Sequence, residues 1–178
     1  LKAVFYAEIW KDFLIDLQKD ILIPLEKYNY DKAGMKSLLE DLAGKKISEI
    51  IILDGCDVFN QKIKEDVFII NDHINATGDN PLIGPNDENM GVRFPDMTFP
   101  YSEKLSAEIK KLFKKKITFR ETILYGAKKN PSKADMKKLI RLNCHISNFN
   151  IMWLDILARH AGIEVGAAVM KKGVRNSL

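Results

Sequence analysis

The chain has 178 residues, of which 46% are hydrophobic and 29% charged, with Lys+Arg 28 against Asp+Glu 24 and a net charge of +4. That is one domain's worth of chain with enough apolar material for a sizeable core, which excludes default disorder and lies far from the balance of a dedicated nucleic-acid binder. The cysteines Cys56 and Cys144 make no disulfide framework, and His73, His145 and His160 make no metal-ligand spacing. Neither a structural metal nor a cofactor is expected. No apolar run reaches the roughly 18 residues of a membrane span, and no cleavage-site pattern follows Leu1 to Trp10. A cytoplasmic, reducing location and no membrane partner are therefore expected. The chain begins with Leu rather than Met, which reads as a fragment or a processed product.

In chain order, 13–17 and 21–25 are short apolar runs split by Gln18-Lys19-Asp20, which predicts a hairpin, with Pro24 suited to an edge. Asp31 to Leu42 carries Leu38, Leu39 and Leu42 at helical spacing from Met35, with Gly44 as a stop. Ile47 to Leu53 and Val67 to Ile70 contain continuous apolar runs, as strands buried on both faces do. Ser102 is placed to cap a helix to about Lys116, and Phe119 to Tyr125 reads as another strand. Pro131 is placed to open a helix with Met136, Leu139 and Ile140 inward. Met152 to His160 reads as a helix closed by Gly162, and Ile163 to Met170 as a last strand. Alternating strands and helices predict an α/β fold. The lysine runs, Lys128-Lys129 and Lys171-Lys172 among them, read as solvated faces, so nucleic acid is not an expected partner.

From Asp72 to Tyr101 neither periodicity holds. About 30 residues without regular structure in a compact domain suggest a loop with a task. Its turn chemistry is dense, as in Thr77-Gly78-Asp79-Asn80-Pro81 and Gly84-Pro85-Asn86-Asp87.

The ordered string Asp72-His73-Ile74-Asn75, Asn80-Pro81-Leu82, Gly84-Pro85-Asn86-Asp87-Glu88 and Arg93-Phe94-Pro95-Asp96-Met97 resembles the long central loop of trimeric purine nucleoside phosphorylases. Ala158 to Val165 resembles that family's late helix-to-strand turn. The resemblance implies a single α/β domain over 1–178, with a central mixed, partly parallel sheet flanked by helices, and with the long loop at 72–101. It implies that the fold is truncated at both ends, because two family segments would lie beyond this chain: a phosphate-binding serine loop and a helix bearing a ribose-contacting histidine. It also implies a homotrimer with sites near subunit boundaries. The reaction implied is phosphorolysis of purine nucleosides to free base and ribose 1-phosphate, with phosphate as co-substrate.

That chemistry needs donors around a phosphate dianion and a carboxylate and an amide on the leaving purine. At the family's positions this chain departs. The glycine-rich phosphate turn falls on Asp54-Gly55-Cys56-Asp57-Val58, whose acids repel phosphate. An arginine segment falls near Lys27, the purine-binding carboxylate on Pro131, a Met-Ser pair on Phe149-Asn150, and the amide on Gly173. Phe94, Asn150, Lys27 and Gly55 stand as candidate substrate contacts, and no catalytic residue is assigned. Phe94 in the family reaches a neighbouring subunit's ribose site, though interface packing alone also accounts for it. His73 reads as a structural histidine tying the loop to the sheet, Asp87-Glu88 as solvated loop acids, and His160 as a packed helix-end histidine. Family membership predicts phosphorolysis, while the substituted positions predict that it is weak or lost. The alternative is a catalytically inert relative acting as a binding or assembly module.

Overall fold

The computed structural model describes residues 1–11, 20–27, 32–86, 88–112 and 117–173. Seven strands and four α-helices are present among them: β1 (Lys2–Tyr6), β2 (Ile21–Pro24), α1 (Lys32–Gly44), β3 (Glu49–Val58), β4 (Val67–Asn75), α2 (Glu103–Leu112), β5 (Phe119–Gly126), α3 (Lys133–Arg141), β6 (Cys144–Ser147), α4 (Asn150–His160) and β7 (Glu164–Lys171).

The strands form one mixed sheet in the order β2-β1-β3-β6-β5-β4-β7, and a further pairing of β3 with β7 closes five of them into a ring. Around the ring β3–β7, β4–β5 and β5–β6 are parallel, and β4–β7 and β3–β6 are antiparallel. β1 and β2 extend the sheet outward from β3 in parallel.

The continuous apolar runs are buried on both faces because alternate residues serve separate cores. Ile50, Ile52, Phe68 and Ile70 pack with Leu38 and Leu42 of α1 and with Ile151, Met152 and Leu154 of α4. Ile51, Leu53, Val67 and Ile69 pack with Trp10 and with Leu105 and Ile109 of α2. This is the period-two alternation of a strand with helices on both sides. Gly166 of β7 sits under α2, where a Cβ would run into Leu105. Helix α4 is covered almost all round, since Ile151 to Ala158 are all buried.

Several expectations need correction. β2 is an edge strand as Pro24 suggested, but its partner among the described residues is β1, in parallel. The other arm of the expected hairpin, 13–17, lies outside the described residues. Strands β1 and β6 were not anticipated. β3 and β4 run past their apolar cores, to Val58 and Asn75. The long loop therefore starts at Ala76 rather than Asp72. α3 starts at Lys133 behind Ser132, whose hydroxyl accepts the Asp135 N–H, so Pro131 precedes the cap instead of opening the helix. α4 starts at Asn150, two residues earlier than its apolar pattern suggests.

Candidate functional site

The far half of β3 sets the site. Asp54, Gly55 and Cys56 are held in the sheet against Val169, Met170 and Lys171 of β7. Asp57 and Val58 pair with Ser147 and Ile146 of β6. The glycine-rich turn that the resemblance places here is strand instead, because β7 and β6 supply backbone partners along this segment.

Asp54 is 9% exposed and its carboxylate gathers three donors. Oδ1 accepts the Gly55 N–H at 2.7 Å. Oδ2 accepts the side-chain amide of Asn148 at 2.8 Å and that of Asn150 at 3.2 Å. The Asn148 amide also donates to the Gly55 carbonyl at 2.7 Å, while its own oxygen accepts the Ile151 N–H in the first turn of α4. The Asp54 carbonyl in turn takes the Trp10 indole N–H at 2.8 Å. One carboxylate thus locks β3 to the start of α4, and the donors face each other only because β3 and the β6–α4 turn are adjacent.

Two adjoining cavities open beside this lock. The larger, about 640 Å³, lies between Thr77 and Asp79 of the long loop, Tyr125 of β5 with Ala127 to Asn130 just after it, and Phe149 and Trp153 at the start of α4. The smaller, about 360 Å³, lies between Asp57, Lys172, Asn148, Asn150 and the same Lys128-Lys129 pair. Phe149 and Trp153 stack at 5.1 Å between centroids, tilted by 40°. The Lys128 ammonium lies 4.9 Å from the Phe149 ring centre, within cation–π range. Lys172 pairs with Asp57 at 2.9 Å. Gly126, where the β5 end passes α4, leaves no room for a Cβ against Met152.

Asn150, Gly55 and Asp54 therefore converge, and Phe149 lines both cavities. Pro131 is buried and lines neither; it sits ahead of the α3 cap. Its neighbour Asn130 lines the larger cavity and accepts the Ser147 hydroxyl at 2.5 Å. Gly173 is likewise outside them, although Lys172 beside it lines the smaller one. Lys27 is exposed at the end of a 3-10 turn, Leu25–Lys27, and lines neither cavity.

The family-type loop encloses a separate cavity of about 550 Å³, lined by His73, Asn75, Asn80, Gly84, Arg93, Phe94 and Pro95 among others. Phe94 is 85% exposed and lines neither of the two cavities beside the Asp54 lock. The loop is held by its own turns. Asn75 accepts Thr77 N–H and donates to the Asp79 carbonyl, Asn80 accepts Leu82 N–H, and Arg93 donates to the Gly84 carbonyl. Asn86 donates to the Gly91 carbonyl, Glu88 is exposed, and Asp87 lies outside the described residues. His160 Nδ1 lies 2.6 Å from the Val92 carbonyl, fixing the loop to the end of α4.

His73 lies between Tyr101, at the end of the long loop, and Asp155 of α4. A one-residue register shift after Ile70 changes the alternation of β4, so that His73 rather than Asp72 meets α4. Its Nδ1 lies 3.1 Å from the Tyr101 hydroxyl and 3.5 Å from Asp155 Oδ2. Asp155 is fully buried, and neither of its oxygens has a hydrogen-bond partner among the described residues. Burial lowers the His73 imidazole below its usual range and raises the Asp155 carboxyl and the Tyr101 phenol well above theirs.

Sequence reasoning missed Asn148, the wall lysines, Trp153 and Asp155. Asn148 had a usable signal, an amide three residues before a helical N–H it could cap. Asp155 has a signal too, as the one acid inside the apolar run Ile151 to Ala158.

A sequence model described as the phosphorylase superfamily matches residues 38–170. Purine nucleoside phosphorylase 1 of Geobacillus stearothermophilus is 33% identical over 145 residues, 79% of this chain and 52% of that protein. Purine nucleoside phosphorylase 1 of Bacillus subtilis is 31% identical over 145 residues, 79% of this chain and 51% of that protein. The chain thus spans about half the length of the curated relatives it matches. A Schistosoma mansoni purine nucleoside phosphorylase, solved in complex with adenosine, superimposes with a TM-score of 0.74. That match covers 95% of this chain and 75% of the other at 16% identity, a likeness of fold.

Proposed function

The chain belongs to the phosphorylase superfamily, and from that premise we propose that it binds purine nucleosides between β3 and α4 and cleaves them with phosphate only weakly or not at all. The relatives named purine nucleoside phosphorylase support the substrate class. The reaction would yield free base and ribose 1-phosphate.

The observation that carries the impaired reading is the Asp54 carboxylate. By the resemblance, the family's phosphate turn falls on the segment Asp54 to Val58, and Asn150 stands among the candidate substrate contacts. Here the Gly55 N–H and the Asn150 amide already serve Asp54. A phosphate dianion would have to compete for these donors and accept a like charge nearby. Two unit charges about 4 Å apart repel by about 4 kcal/mol at an effective dielectric of about 20. Pro131, the position to which the resemblance assigns the purine carboxylate, supplies none and lines neither cavity.

Assembly follows the same reading. Ile83, Val92, Phe94 and Phe99 are exposed apolar residues within one loop, which favours a subunit contact there and a homotrimer of the family type. The two buried thiols, Cys56 and Cys144, suit a reducing cytoplasmic compartment.

The test is inosine with and without phosphate, following hypoxanthine. Inosine binding with a phosphate-dependent rate far below the ordinary enzyme value of about 10 s⁻¹ is expected. Ordinary turnover would contradict the impaired reading, and failure to bind any purine would contradict the site.

A further inference from the structure

The larger cavity differs in character from the Asp54 lock beside it. Its floor is aromatic, with Phe149 and Trp153 in contact and Tyr125 at the side. Its rim is cationic, with Lys128 and Lys129 exposed on the β5–α3 connection. The acid on the rim is Asp79, whose carboxylate already accepts the Asn80 N–H at 2.8 Å. Lys172 adds a third ammonium in the adjoining cavity, although it is paired with Asp57. The Trp153 indole N–H is buried without a partner among the described residues, in a residue that lines this cavity.

A neutral nucleoside would satisfy the aromatic floor and leave the lysine pair unused. A free phosphate would satisfy the lysines and leave the floor unused. A cavity of about 640 Å³ is in the range that holds a ligand larger than either fragment alone.

We propose that this cavity binds a nucleoside monophosphate, its base against Phe149 and Trp153 and its phosphate at Lys128 and Lys129. The proposal rests on the purine-site reading above and narrows the ligand class. The base gains aromatic stacking, and the phosphate gains charge-assisted hydrogen bonds from two ammonium groups. The same lysines that read as a solvated run in the sequence become the part of the site that selects the charged ligand.

The test compares inosine 5′-monophosphate, inosine, ribose 5-phosphate and inorganic phosphate by calorimetry at low salt, in wild type and in the Lys128→Ala/Lys129→Ala double variant. Both lysines are exposed, so the variant retains the fold. The monophosphate should bind at least about tenfold more tightly than inosine or ribose 5-phosphate, the advantage expected of charge-assisted hydrogen bonds. The double variant should lose that advantage over inosine, and added salt should weaken the monophosphate more than inosine. Equal or weaker binding of the monophosphate relative to inosine overturns the proposal and leaves the nucleoside site standing. A monophosphate preference that survives in the double variant overturns the placement at these lysines. Binding of inorganic phosphate or ribose 5-phosphate as tight as the monophosphate overturns the role of the aromatic floor. Binding of none of the four overturns the proposal and the nucleoside site together.

Discussion

Asp155 and Asp54 are both buried acids, yet they are treated oppositely. Asp54 receives three donors, while Asp155 has no hydrogen bond among the described residues and faces His73 at 3.5 Å. Without donors burial favours the neutral forms, so the Asp155 carboxyl is raised and the His73 imidazole lowered. A raised carboxyl contributes stability in full below its unfolded value of about 3.9 and loses it as pH rises toward the folded value. A lowered imidazole contributes stability above about 6.5 and loses it as pH falls. In the Asp155→Asn variant a neutral group of the same shape replaces the acid. Denaturant unfolding from pH 4 to 8 should show the variant gaining on wild type as pH rises, by about 1–3 kcal/mol. Loss of stability in the variant at pH 8 would instead indicate a charged Asp155–His73 pair. Residues of this kind are half legible. The charge of Asp54 and its hostility to phosphate stand in the sequence, but Asn148, 94 positions away, becomes its partner only through the fold.

The elements were most legible where apolar runs had one interpretation, as in Ile50 to Leu53 and Val67 to Ile70. They were least legible where the sheet overrides local preference. Asp54, Gly55 and Asp57 are poor strand residues, and β3 continues through them because β7 and β6 supply partners on either hand. β6 has only four residues, Cys144 to Ser147, too few for a pattern. The loop after β4 announced itself by its turns, though its fastening did not. Gly91 passes so close to the end of α4 that a Cβ would land on the His160 carbonyl oxygen. Nearby, Arg159 donates to the Asp96 carbonyl at 3.3 Å and His160 lies against the Val92 carbonyl. Gly91→Ala should therefore release the loop without unfolding the sheet. Limited proteolysis should cut within 76–100 several-fold faster while the far-ultraviolet circular dichroism holds. Cutting at the wild-type rate would show that the loop's internal turns alone hold it.

At the scale of the whole molecule, a mixed sheet closed into a ring brings β3, the end of β5 and the start of α4 together, and this makes a site from distant segments. The sequence carried the α/β class and the family-type loop. It did not carry the ring closure, which depends on β7 pairing with both β3 and β4. The proposed reading is that the donors an anion would use here, the Gly55 N–H and the Asn148 and Asn150 amides, serve the chain's own Asp54 carboxylate. It is tested by titrating inorganic phosphate into wild type and Asp54→Ala, with folding of the variant checked by circular dichroism. Removing the carboxylate frees the Gly55 N–H and the Asn148 and Asn150 amides. Phosphate should bind the variant at least about tenfold more tightly than wild type, the scale of one charge-assisted hydrogen bond gained with one repulsion removed. Tight phosphate binding by wild type that is lost in Asp54→Ala would contradict the account.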